Sequence, residues 1–337
     1  MKLFATAVLL SLVLFSCNEQ EEIPNVSNIS VQLKTTRFEK DLFDTSSNNL
    51  ADYLFQLQKK EPVFTRTYLS NILNVDPSWP TDSAASYVNA FIKAYRPIFD
   101  SSEITFRNFH PIEKEITQGL QFVKYYFPSY PLPSKIITYI GPADGYGDIL
   151  SDEALIVGLQ LHLGKDFYLY KTSLVQETYP AYVSSRFEPS YIVVNCLNNI
   201  VNDLFPEKGF DKPLVDQMIE KGKRLYLLSK FLPKIEEYQL IGYSKKQLAD
   251  AYLHEAVIWD LFVKNEYLQL TDKNIIKNYI GESPKTQELG EGAPGNIGSF
   301  TGWQIVKIFA NKNKILSLQQ LMNADPEKIL QEAKYKP

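Results

Sequence analysis

A chain of 337 residues with 45% apolar and 22% charged residues can bury a large core, which excludes a disordered or low-complexity protein. Its formal charge of −4 gives no electrostatic reason to bind nucleic acid, and no dense Lys/Arg run supplies a basic face locally. The 21 Tyr and 20 Phe are expected mainly in that core.

The N-terminus reads as an export signal. Lys2 is a short cationic start, and Leu3 to Phe15 is an apolar run too short for a permanent membrane helix, which takes about 20 residues. Leu14-Phe15-Ser16-Cys17 places a leucine three before a cysteine and a small residue directly before it. That is the pattern of lipoprotein processing, in which the small residue suits the cut and the thiol takes up the diacylglycerol. Residues 1–16 are therefore expected to be a removed signal peptide, and Cys17 the lipidation site. Residues 17–30 form a flexible tether, and 31–337 one globular domain. Asn18 is not the aspartate that would retain the protein at the inner membrane. Glu19, Glu21 and Glu22 either resemble surface-export signals or form a solvated linker. The expected location is the cell envelope, at the outer membrane, on its periplasmic or surface face. With Cys17 lipidated, Cys196 has no disulfide partner; set among Val193, Val194 and Leu197, it reads as a small buried hydrophobe.

Along the body, Val31 to Lys34 alternates apolar and polar residues and predicts a short strand. Helical spacing covers Leu50–Lys60 and Ala84–Ile98, the second with Tyr87, Phe91, Ile92 and Tyr95 on one face. Pro62, Pro77, Pro80 and Pro97 punctuate this part. Strands are predicted at Lys135–Ile140 and Ala154–Leu161, separated by the turn-rich Gly141–Gly147. Helices follow: Ser190–Leu204, one from Asp211-Lys-Pro213 to Pro233, and one capped by Ser244 with Gln247 and running through Leu261. Ser299 or Thr301 is expected to cap a helix carrying Trp303, Ile305 and Phe309. Ser317 with Gln320, and Asp325 before Pro326, start the last two.

Chemistry is harder to find. The histidines His110, His162 and His254 are widely spaced. His254-Glu255 begins like the zinc motif H-E-x-x-H, but Ile258 stands where the second histidine is needed, which leaves a helix-surface pair. His162 reads as a satisfied sheet residue. There is no G-x-S-x-G elbow, and the glycine-rich Gly290–Gly298 lacks the Lys-Ser/Thr of a phosphate loop and reads as structural. Asp144 and Asp148 are too few acids for a calcium site.

Three segments carry a resemblance. They are Tyr191 to Asp203; Ile219 to Tyr226, continuing to Leu232-Pro233 and Ile241 to Ser244; and Gly298-Ser-Phe-Thr-Gly-Trp-Gln-Ile-Val306 with the ending Ala333 to Pro337. Together with the Cys17 segment they resemble the gliding-motility lipoprotein GldB family of Bacteroidota, over nearly the whole chain. The resemblance implies an accessory lipoprotein required for gliding, in organisms that couple gliding to type IX secretion. Its implied partners are the membrane, through the lipid anchor, and other gliding or secretion proteins of the envelope.

The family is also similar to zincin-type metallopeptidases, which carry a small sheet followed by an active-site helix and a glutamate helix. The implied fold class is α+β, mostly helical, with a zincin-like small central sheet followed by C-terminal helices. On this likeness the two histidine positions fall at Asn195 and Asn199, the catalytic glutamate at Cys196, and the third ligand at Lys221 before Gly222. Residues 190–205 contain no histidine, and an ammonium at 221 would repel zinc. The implied reading is a pseudo-enzyme with no catalytic residue, metal or cofactor, whose cleft binds a partner peptide or is merely structural. Two alternatives stay open: an envelope hydrolase of unrecognised mechanism, and a glycan-binding surface lipoprotein, for which exposed clusters around Trp79, Trp259 or Trp303 would speak.

Overall fold

The computed structural model describes residues 22–44 and 50–337; Cys17 and the signal segment lie outside them. The packed body takes up the chain before residue 31. Val26 is buried, and the Gln121 amide donates to the Ile29 carbonyl at 2.9 Å. The tether expected to reach residue 30 therefore gives way by Val26, where an apolar side chain and then a backbone carbonyl find partners on the body.

Strand β1 is Lys34–Arg37, later than the Val31–Lys34 alternation predicts, because the ladder pairs Lys34 with Lys135. Helix α1 (Phe38–Phe43) follows directly and buries Glu39, which accepts from the Thr138 hydroxyl at 2.6 Å and pairs with Arg37 Nε at 2.5 Å. Helix α2 is Leu50–Lys60, as its spacing predicts. Helix α3 runs Thr81–Thr105, beyond the expected Ile98 and through Pro97. Proline removes one helical hydrogen bond, but continuing buries Ile98, Phe99 and Ser102, with Phe99 stacked on Phe43 at 4.7 Å. The buried stripe of α3 begins with Ala85, Val88 and Ile92; Tyr87 stays exposed, and Phe91 stacks on Tyr95. Helix α4 is His110–Tyr126.

Strands β2 (Lys135–Tyr139), β3 (Ile149–Leu150) and β4 (Ala154–Gly158) complete a sheet of order β1-β2-β4-β3. The first three in that order run parallel, and β3 is antiparallel to β4. β4 is buried along its whole length, which explains its unbroken apolar run: a central parallel strand is covered on both faces. It ends at Gly158, short of Leu161, and the chain turns through a 3₁₀ helix at Leu159–Leu161.

The C-terminal half is helical: α5 (Tyr191–Leu204), α6 (Leu214–Phe231), α7 (Lys245–Leu253), α8 (Glu255–Lys264), α9 (Lys273–Ile280), α10 (Ile297–Lys312), α11 (Leu318–Met322) and α12 (Pro326–Ala333). Both predicted capping boxes form reciprocally. The helix expected to reach Leu261 without interruption breaks at His254, whose Nδ1 donates to the Asp250 carbonyl at 2.9 Å. The α10 N-cap is Asn296, in the left-handed conformation at φ 57°. Ser299 and Thr301, expected as caps, are buried inside the helix, and the Thr301 hydroxyl donates back to the Ile297 carbonyl.

Helices α6 and α10 cross with their backbones in contact. A Cβ on Gly222 would stand 2.2 Å from the Gly302 carbonyl carbon, and one on Gly302 would stand 1.8 Å from the Met218 carbonyl oxygen. Only glycine permits that approach. One main hydrophobic core reaches from Val26 to Tyr335, so the fold is α+β and mostly helical. Among the described residues no helix is long and apolar enough to cross a membrane.

Candidate functional site

The site forms where the β3–β4 hairpin meets α5. The hairpin pairs Leu150 with Leu155 and Ile149 with Ile156. One residue further out, Asp148 comes beside the end of β4, and the Gly158 N–H donates to its Oδ1 at 3.2 Å. The loop before it is clamped: Gln160 Nε2 donates to the Tyr146 carbonyl at 2.9 Å, and the Tyr139 hydroxyl lies 2.7 Å from the same oxygen. Beyond β4, the 3₁₀ turn carries His162 back to Asp148.

His162 Nε2 lies 2.9 Å from Asp148 Oδ2, and its Nδ1 lies 3.2 Å from the Glu188 carbonyl. Both ring nitrogens thus have an oxygen within hydrogen-bond distance. From α5, Asn195 Nδ2 donates to Asp148 Oδ2 at 2.8 Å, and Asn199 Nδ2 donates to the Asp148 carbonyl at 3.0 Å. One helical turn separates the two asparagines, so both amides reach the same loop residue. The side chains of Asp148 and His162 are only 3% and 2% exposed. Each carboxylate oxygen thus has at least one donor from the protein itself. Cys196 is buried next to Asn195, and burial first, then the Asp148 charge, push its thiol well above its ordinary value. That holds it as a neutral thiol rather than a nucleophile.

Of the three metal-ligand positions that the peptidase likeness singles out, the structure joins Asn195 and Asn199 and leaves Lys221 apart. Lys221 donates to Glu207 at 2.6 Å and lines a different cleft. In front of the Asp148 network lies an open cleft of about 560 Å³, lined among others by Tyr130, Asn199 and Asp203. Asn199 and the Asp148 edge face it, with the Asn199 Nδ2 already donated to the Asp148 carbonyl. Among the described residues no group of three or more His, Cys, Asp or Glu is arranged to hold a metal ion.

The other flagged residues disperse. His110, His254 and Asp144 are exposed. Glu255 accepts from Tyr335 at 2.7 Å rather than pairing with His254. Gly298 packs on Ile280 and Met218, and the Tyr243 hydroxyl donates to the Gly295 carbonyl, so the glycine-rich loop is built into the fold. Trp303 is buried and Trp259 packs edge-on against Tyr335; Trp79 alone of the tryptophans is exposed, beside the exposed Tyr87 at 5.5 Å.

The Asp148–His162 pair does not stand out in the sequence, where the aspartate reads as half of a weak cation site and the histidine as a strand residue. The available signal was the hairpin: two short apolar runs folding back on each other bring residues 14 apart to one end.

Fold and site define a mostly helical α+β protein whose central helix closes on a buried, self-satisfied carboxylate. The family model for gliding motility protein GldB matches residues 19–337, and the chain belongs to that family. No curated protein and no solved structure matches it in the corresponding comparisons. The family match spans α5, α6 and α10, which carry the site and the glycine crossing; a likeness to zinc metallopeptidases is not among these findings.

Proposed function

We propose that this chain is a lipid-anchored outer-membrane lipoprotein that serves gliding motility, and the type IX secretion linked to it, by binding other envelope proteins without catalysis. The reading is carried by the Asn195 and Asn199 amides donated to Asp148. In a zincin-type peptidase the equivalent helix positions present imidazole lone pairs to the metal. An amide nitrogen has no such lone pair to offer, so here the helix closes a polar network where a peptidase opens a metal site. The Lys221 ammonium, at the expected glutamate position, pairs with Glu207 and would repel a cation. A helix whose asparagines are already engaged by Asp148 supports a role without catalysis.

Deletion of the gene, scored for colony spreading and type IX secretion together, tests the role. Both should be lost. The Cys17→Ala variant should keep its fold but leave the membrane fraction and impair spreading. Normal spreading after deletion overturns the reading. Stoichiometric zinc in the purified chain, with protease activity that a chelator removes, overturns its non-catalytic part.

A further inference from the structure

A separate cleft of about 250 Å³ lies between the chain around Glu207–Phe210, α6 and α9. In a protein of net charge −4 it gathers Lys208, Lys221, Arg224, Lys273 and Lys277. Its acids are already paired: Glu207 with Lys221 at 2.6 Å, and Glu220 with Lys223 at 2.5 Å. Lys208, Lys273 and Lys277 are exposed and form no ion pair among the described residues. The cleft is therefore a local positive surface on a negative molecule, which favours an anionic partner.

Arg224 gives that surface a built centre. It is only 8% exposed, and its Nη1 donates to Asn202 Oδ1 at 3.1 Å. Its Nη2 is buried with no hydrogen-bond partner among the described residues. A buried guanidinium with an unused arm is incomplete, and the partner that matches its planar fork is a carboxylate. Beside it the lining turns apolar. Ile276 and Ile280 come from α9, and Phe210, 57% exposed, stands at the mouth.

We infer that this cleft docks a partner's polypeptide segment in which a carboxylate sits next to an apolar side chain. The carboxylate engages the Arg224 guanidinium and the lysines of α9, while the apolar side chain covers Phe210 and Ile280. The inference rests on the partner-binding reading above and names the surface that does the binding.

The test uses the full-length chain in neutral detergent, with fluorescein-labelled peptides followed by anisotropy. One peptide alternates leucine and glutamate and has an amidated end. A second has glutamine for glutamate. A third is uncharged along its length and ends in a free leucine carboxylate. Binding of the first or third but not the second is expected, and which of them binds assigns the carboxylate to a side chain or to a chain end. Arg224→Gln should weaken binding about tenfold or more, as loss of a buried charge partner does. Because Arg224 is buried and its variant can misfold, Lys273→Gln with Lys277→Gln, at exposed positions, provides the second arm. It should weaken binding several-fold and flatten its dependence on salt. Equal binding of the glutamine peptide, or undiminished binding by the lysine variant, overturns the inference. So does concentration-dependent dimerisation lost in that variant, which assigns the cleft to a second copy. None of these outcomes touches a gliding defect on deletion, so the two readings fail separately.

Discussion

Asp148 and Arg224 are both charged side chains removed from water, and each is hydrogen-bonded to asparagines of α5. Asp148 receives Gly158, His162 and Asn195 on its carboxylate. Arg224 donates to the Asn202 oxygen with one arm, and the other has no partner among the described residues. The first charge is completed by its own chain, leaving little for a ligand to add. The second is half completed and lies near Lys208, Lys273 and Lys277, which form no ion pair among the described residues. A buried polar group that is fully partnered orders the fold, and one left partly open points to what binds there.

The sharpest way to break this contrast is at Asp148. Asp148→Ala strips the acceptor from His162, Asn195 and Gly158 at once. By analogy with breaking a buried ion pair it should cost about 3–5 kcal/mol in urea denaturation. Asp148→Asn, which keeps the shape, should cost less. A loss from Asp148→Ala below about 1 kcal/mol would mean that the network does not order the fold.

Cys196 reports on the same region with a smaller effect. In a Cys17→Ala background the native protein should not react with a thiol reagent at neutral pH, while the unfolded chain should react fully. The native thiol holds its proton more tightly than an ordinary one with a value of 9.0, so the folded state binds more protons. Stability should therefore fall as the pH rises through and beyond about 9, and Cys196→Ala should remove that part of the slope. Rapid native labelling would show that the network is open.

The smallest stability effect belongs to the cleft. The Lys221–Glu207 pair is about one-third exposed on each side. Lys221→Gln should change stability by less than about 1 kcal/mol. A loss as large as that of Asp148→Ala would erase the distinction between a structural and a binding region.

Much of this was legible locally. The capping boxes at Ser244 and Ser317 need only residues three apart. The apolar runs of β2 and β4, and the helical spacing of α2 and α5, follow from one element each. The face shared by Asn195 and Asn199 is likewise a matter of helical period. Local signals gave way where packing outvoted them. Pro97 did not end α3 because Phe99 had a ring to stack on, and Ser299 did not cap α10 because the helix had already begun at Ile297.

The sequence by itself determined the lipidation reading of Cys17, the order of small sheet before C-terminal helices, and the absence of imidazole and carboxylate at 195, 199 and 221. Tertiary structure alone decided what those residues face. Asn195 meets an aspartate 47 positions earlier, and Gly222 meets Gly302 only because two distant helices cross there. The unused arm of Arg224 is likewise invisible in the chain. Whether a buried donor has a partner depends on every element packed around it, and no local pattern carries that information.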